Sequence, residues 1–305
     1  MKHAPWTPDG FDDWQRHYPA TRFARQAGSL DWTGQFLDCW RQRHARLPRS
    51  TTIVLIAGLY SEFLSGCHRD AHRALTAAGY RVLTVPVRSA RGVVAQGKHI
   101  AAWLSQTLAP HEAFVALTHS KGGLDTIAAL VGAPALMACC DGVVLVQPPV
   151  GPSTFIDEVF SAPGHATHTS LRKRVARAML ASRWMADGTR DISSGRDPRI
   201  ATLLQNIPES VHLIHAVSWS IEASTRFDSH HAKLNANRPD CAHDGQFYLE
   251  QQILPGKPQV CLPRLDHGQP VLGGLNFDAG RFWLALADLL HVTRSGHSPH
   301  QIQTR

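Results

Sequence analysis

The chain has 305 residues, 43% of them hydrophobic and 18% charged, which suits one large α/β domain, with or without an insertion, built on a sizeable core. A net charge of +7 would suit an anionic partner. Nucleic acid is excluded as that partner: the basic residues are scattered apart from Arg172, Lys173, Arg174 and Arg177, with no zinc-finger spacing, RNA-binding aromatic signature or basic tail.

Residues 1–48 read as an N-terminal helical extension, in which "LDWTGQFLDCWRQRHARL" has helical apolar spacing and "LPRS" ends it. "TTIVLIAGLY" is a β-branched run short enough for a buried strand and closed by Gly58. "DAHRALTAAGY" predicts a helix stopped by Gly79, "RVLTVPV" a strand, and "GVVAQGKHIAAWLSQTL" a helix that carries two glycines. "AFVALTHS", "GLDTIAALVG" and "GVVLVQPP" continue as strand, helix and strand. Near-continuous apolar strands alternating with helices predict a mostly parallel sheet covered on both faces, an α/β fold. The rhythm breaks over residues 151–208, which read as a lid or cap insertion, and resumes in "SVHLIHAVSWS" and "QVCLPRL". The core is therefore expected over 49–150 and 209–292, with "AGRFWLALADLLHV" as the last helix and 293–305 as a flexible tail.

No apolar run approaches the roughly 18 residues of a membrane span, and "MKHAPWTPDGF" lacks the apolar core of a signal peptide. Cys39, Cys67, Cys139, Cys140, Cys241 and Cys261 form no CxxC pair and sit mostly beside apolar segments, as free thiols in a reducing compartment would. A cytoplasmic location is expected. "HATH", "HLIH" and "DSHH" bring histidines close in sequence, but no HExxH or Cys/His ligand spacing is present, so neither metal nor cofactor is expected.

Candidate chemistry begins at "THSKGG". A serine hydroxyl attacks at neutral pH only with a base to take its proton, a group to orient that base and donors for the oxyanion. Ser120 stands between an apolar strand and a helix, with Gly122 two residues on and Thr118 two residues before, positions that must be small where a strained elbow brings them together. The competing reading is a turn serine that caps the next helix. His267, in the loop after "QVCLPRL", has the position of a base; a surface loop histidine is the alternative. Asp244 in "HDGQFYLEQQILPG" is the most turn-like acid, with Glu222, Asp228 and Asp240 as rivals, while Asp266 points the other way and shapes the histidine loop. Backbone amides of Lys121 and Leu59 are the oxyanion candidates, Gly58 permitting the turn that aims the latter; the alternative is an ordinary strand-ending glycine.

On "IAGLYSE", "THSKGGLD", "VLVQPPVGPSTFID", "HDGQFYLEQQILPG" and "LDHGQPV", the chain resembles the α/β-hydrolase superfamily, and within it a bacterial lipase-like serine esterase group, over roughly residues 50–290. The resemblance implies that Ser120, Asp244 and His267 form a triad and that the substrate is a small-molecule or lipid ester. Three departures from the pattern stand out. Thr118 replaces the first elbow glycine, and His243 replaces the Asn expected before Asp244. Gly268, Gln269 and Pro270 stand where secreted relatives often carry a calcium-binding Asp. The insertion becomes a lid or acyl pocket in which Leu171, Val175, Ala178, Met179 and Trp184 face the site; the cationic side of the 171–184 segment would face solvent or a membrane surface. An acyltransferase, thioesterase or intracellular polyester depolymerase would use the same triad, and a non-catalytic binding protein would keep only the fold. The sequence leaves oligomeric state open.

Overall fold

A computed structural model of the chain describes residues 6, 30–42, 44–160, 186–220, 231–239, 241–274 and 277–294. Six strands form one sheet: β1 (Thr52–Ile56), β2 (Val82–Thr84), β3 (Phe114–His119), β4 (Cys140–Val146), β5 (Leu213–Trp219) and β6 (Gln259–Pro263). Every pairing is parallel, and the order is β2-β1-β3-β4-β5-β6. The helices in chain order are α1 (Thr33–Gln42), α2 (Arg69–Ala77), α3 (Val93–Thr107), α4 (Lys121–Gly132), α5 (Pro134–Cys139), α6 (Thr154–Phe160), α7 (Ala186–Arg190), α8 (Pro198–Gln205), α9 (His231–Asn237), α10 (Gln269–Leu272) and α11 (Ala279–Arg294).

The two-residue period of a strand divides each apolar run between two cores. Ile53, Leu55, Val115, Leu117, Val144, Val146, Val260 and Leu262 pack with Phe36, Trp40, Leu75, Phe282, Trp283 and Leu286 of α1, α2 and α11. Val54, Ile56, Phe114, Ala116, Val143 and Leu145 pack on the other side with Ile100, Leu104, Ile127 and Leu130 of α3 and α4. Each such side chain contributes about 1.5–3 kcal/mol on burial, which is why the runs IVLI of β1, FVAL of β3 and VVLV of β4 carry no polar residue. Gly97, one of the two glycines in the predicted helix, has a packing reason: a Cβ there would lie 2.8 Å from the Ala128 Cβ, so the glycine lets α3 approach α4.

Sequence periodicity misses α5, which is too short to show a 3.6-residue repeat between its neighbours. The N-terminal segment is built into the core edge: the Trp32 amide donates to the Gln259 carbonyl at 2.8 Å, the Cys261 amide to Thr33 Oγ1 at 3.0 Å, and the Trp6 indole to the Pro263 carbonyl at 3.0 Å. The basic amphipathic segment 171–184 and residues 295–305 lie outside the described residues.

The strand order places the site. From β1 the chain moves outward to β2 and then returns past β1 to β3, so β1 and β3 are neighbours whose following loops part to opposite sides. A sheet of this kind opens its binding crevice at that reversal, beyond the strand C-termini. Gly58 follows β1 there, and Ser120 follows β3.

Candidate active site

Ser120 ends β3 and precedes the first residue of α4, with φ 54° and ψ −134°. A non-glycine residue rarely holds positive φ, and doing so costs on the order of 1–3 kcal/mol unless its surroundings enforce it. Here the Ser120 amide donates to the Val146 carbonyl at 2.8 Å and its own carbonyl accepts from the Gly123 amide at 2.9 Å. Its hydroxyl makes no capping bond to α4. Instead Ser120 Oγ lies 3.0 Å from His267 Nε2.

Three glycines make room for this turn, for reasons of space. A Cβ at Gly58 would fall 2.7 Å from Ser120 Cβ, and one at Gly122 would fall 2.5 Å from the Ala57 carbonyl oxygen. The left-handed residue of the loop after Gly58 is Tyr60, at φ 59°, and the small size of Gly58 leaves room for Ser120. The Thr118 hydroxyl donates to the Val144 carbonyl at 2.9 Å; a Cβ at Gly123 would lie 3.2 Å from Thr118 Oγ1, and one at Gly122 would meet the carbonyls of Ile56 and Ala57.

His267 Nδ1 donates to Asp244 Oδ2 at 2.7 Å, and the His267 amide donates to the Asp244 carbonyl at 2.8 Å. Asp244 is fully buried, and its other oxygen accepts the amides of Gln246 and Phe247, each at 2.8 Å. The carboxylate is thus fixed before it meets the imidazole. Of the rival acids, Glu222, Asp228 and Asp240 lie outside the described residues. Asp266 turns away: its Oδ1 accepts the amides of Gly268 and Gln269 at 2.9 and 2.8 Å and so folds the histidine loop into α10.

His243 solves the Asn position by another route. Its Nδ1 accepts the Gly245 amide at 3.2 Å, the bond an Asn side-chain oxygen would accept in the same turn. Its Nε2 donates to Asn235 Oδ1 at 2.9 Å, and the Asn235 amide group donates to His231 Nδ1 at 3.1 Å. Burial, then the nearby His231, pushes the His243 pKa down to about 4, against the opposing pull of Asp244.

Lys121 starts α4, where the helix geometry leaves its backbone N–H without an intrahelical acceptor. Its side chain is wholly buried and pairs with Asp125 one turn on, at 2.7 and 3.0 Å. Burial pushes the Asp125 pKa up to about 7; Lys121 opposes the shift, and Asp191 and Glu62 add to it. Glu62 in turn accepts the Ser89 amide and hydroxyl at 2.9 and 2.6 Å, and Ser89 Oγ accepts the Tyr60 amide, so the loop beyond Leu59 is tied to the segment after β2. Sequence reading missed Glu62, Ser89, Asp125, His119 and Gln147. Only Gln147 left a local signal, a lone amide at the end of an apolar strand.

By sequence, the chain matches no protein-family model and no curated protein. By structure it is similar to a metagenomic carboxyl esterase, with TM-score 0.62 and 19% identity over 81% of this chain and 77% of that one. It is also similar to the mature form of a Bacillus licheniformis lipase, with TM-score 0.61 and 17% identity over 80% of this chain and 93% of that one. The chain has the α/β-hydrolase fold. Within that fold, Ser120 lies in the turn after β3, Asp244 in the segment between β5 and β6, and His267 in the loop after β6. Among the described residues, no group of three or more His, Cys, Asp or Glu side chains could hold a metal ion, and no helix is long and apolar enough to cross a membrane.

Proposed function

We propose that the chain is a serine hydrolase of carboxylic esters. The observation that carries this reading is the continuous relay from Ser120 Oγ to His267 Nε2 at 3.0 Å and from His267 Nδ1 to Asp244 Oδ2 at 2.7 Å, with Ser120 held at positive φ. His267 takes the Ser120 proton as Oγ attacks the acyl carbon. Asp244 holds the tautomer that leaves Nε2 free to accept and stabilises the imidazolium that forms. The amides of Leu59 and Lys121 receive the oxyanion. His267 then protonates the leaving alcohol, and water activated by the same imidazole releases the acid.

An apolar acyl group suits the surroundings. Phe155, Ile156, Ile192, Leu234, Phe247 and Tyr248 form one apolar cluster with Leu59 packed against it, and the Phe247 ring lies 5.3 Å from that of His267. Of the described residues within 151–208, Phe155, Ile156 and Ile192 belong to this cluster. The six cysteines form no disulfide with one another, in keeping with a reducing, cytoplasmic setting.

The test is hydrolysis of p-nitrophenyl esters of graded chain length, together with fluorophosphonate labelling. Ser120→Ala should abolish both. Retained turnover in that variant, or labelling at another residue, would remove the mechanism. Adding alcohols or thiols as acceptors and analysing the products separates a hydrolase from an acyltransferase.

A further inference from the structure

His267 arrives from β6 and Ser120 from β3. Three strand spacings, about 14 Å, separate those strands, so the histidine loop has to reach back across the ends of β4 and β5. Apolar packing alone would leave the peptide groups of that loop without partners, at a cost for each one buried. The strands beneath it supply partners in sequence order. From the end of β3, His119 Nε2 lies 2.8 Å from the His267 carbonyl and 3.0 Å from Gln147 Oε1. Just after β4, the Gln147 side-chain amide donates to the Asp266 carbonyl at 2.9 Å and to Ser218 Oγ at 2.6 Å. On β5, the Ser218 amide donates to Gln252 Oε1 at 2.9 Å, and Gln252 Nε2 returns a bond to the Ser218 carbonyl at 3.0 Å.

Proton bookkeeping fixes the roles. A backbone carbonyl only accepts, so the nitrogen of Gln147 must face Asp266 and its oxygen must face His119. His119 Nε2 therefore meets two acceptors and carries the proton. Gln147 holds φ 51°, an unfavourable backbone for a side chain of its size, and is fully buried. The His119 ring stands 4.7 Å from the His267 ring at 50°. Burial, then His267 and His68, keeps His119 neutral, so it adds no charge opposing the imidazolium formed beside it.

We propose that His119 and Gln147 are positioning residues for the base: they hold the consecutive carbonyls of His267 and Asp266 and so set the imidazole's approach to Ser120 from the nucleophile's own side of the sheet. This inference rests on the triad reading above. The experiment compares His119→Phe, which keeps a ring and deletes the donor, with His119→Gln, whose terminal amide can restore it, and with Gln147→Met. The readouts are kcat and KM on p-nitrophenyl butyrate, the rate of fluorophosphonate labelling, and the downfield proton resonance of the His267–Asp244 hydrogen bond.

His119→Phe and Gln147→Met should each lower kcat by about 10- to 100-fold with KM within about twofold, the scale expected of a small misplacement of a reacting group. Both should slow labelling in parallel and broaden the downfield resonance, and His119→Gln should recover most of the loss. Unchanged kcat and resonance in His119→Phe, or a His119→Gln as impaired as His119→Phe, would overturn the proposal. Gln147→Met decides if His119→Phe does not fold. Should the wild type turn over no ester, the ester reading fails by itself, and the resonance still decides whether His119 and Gln147 order the base.

Discussion

The two sides of the site are held by different physics. On the nucleophile side, Gly58, Gly122 and Gly123 are set by contact distance: added atoms would lie within 2.9 Å of Ser120, of the end of β1 or of Leu145. On the base side, Asp244 and His267 are set by directed hydrogen bonds from Gln246, Phe247, His243, Gln147 and His119. Steric exclusion is local and tolerates nothing larger. A hydrogen-bonded scaffold is assembled from distant segments and can be rebuilt with other donors, as His243 shows. The two sides should therefore break under different perturbations.

Acid should have the largest effect, through buried histidines of which His119 and His243 belong to the base side. Burial lowers the pKa values of His68, His215 and His243 to about 4 each and also depresses those of His119 and His212. Against these five stand two carboxylates raised by burial, Asp125 to about 7 and Asp288 to about 6. Between pH 4 and 6.5 the unfolded chain then binds more protons than the folded one, and stability rises with pH by about 1.4 kcal/mol per unit for each excess proton. The histidine contribution is present in full above about pH 6.5 and is lost as the pH falls towards 4. Urea midpoints measured across that range should fall steeply; a flat profile would contradict the neutral, buried state of these rings.

Asp244→Asn comes next. It keeps the shape of the acid loop but presents the wrong partner to His267 Nδ1, and kcat should fall by about 10⁴-fold with melting temperature little changed. Lys121→Met leaves Asp125 buried without its cation and should cost about 3–5 kcal/mol, while the double variant with Asp125→Leu should recover most of it. Equal stability in the single and double variants would show that the buried pair does not hold the start of α4.

Much of this molecule can be read from its sequence, and the contrast between the two sides explains which part. The strands are legible because burial on both faces demands unbroken apolar runs such as "FVAL" and "VVLV". Ser120, Gly122 and Gly123 are legible because a strained turn restricts the residues next to it, although the atoms they must clear belong to the ends of β1 and to β4. Asp244 and His267 are legible by order along the chain and by resemblance. The scaffold of the base is not, because Gln147 meets Asp266 across 119 residues and His119 meets His267 across 148. Nothing local in "THS" says that the histidine serves a loop near the far end of the chain. The Thr118 question likewise had its answer on another strand, at the Val144 carbonyl.

The two smallest predictions set one side against the other. Gly122→Ala drives a methyl group against the Ala57 carbonyl and should destabilise by about 1–3 kcal/mol in chemical denaturation. His243→Asn offers an oxygen to the Gly245 amide in place of Nδ1, and kcat should stay within about threefold of the parent. A result in which the alanine is silent and the asparagine is severe would reverse the division between a steric side and a hydrogen-bonded side.

The separation of Ser120 from His267 by 147 residues also has a consequence in time. At ordinary synthesis rates of about 5–20 residues per second, the serine leaves the ribosome roughly 7–30 s before His267, the base of the proposed triad. Throughout that interval the nascent chain carries an ordinary alcohol. On the proposed mechanism, reactivity would switch on only when β6 docks and its loop closes over β4 and β5, so a chain truncated before that point would expose the serine to cellular esters without being able to cleave them.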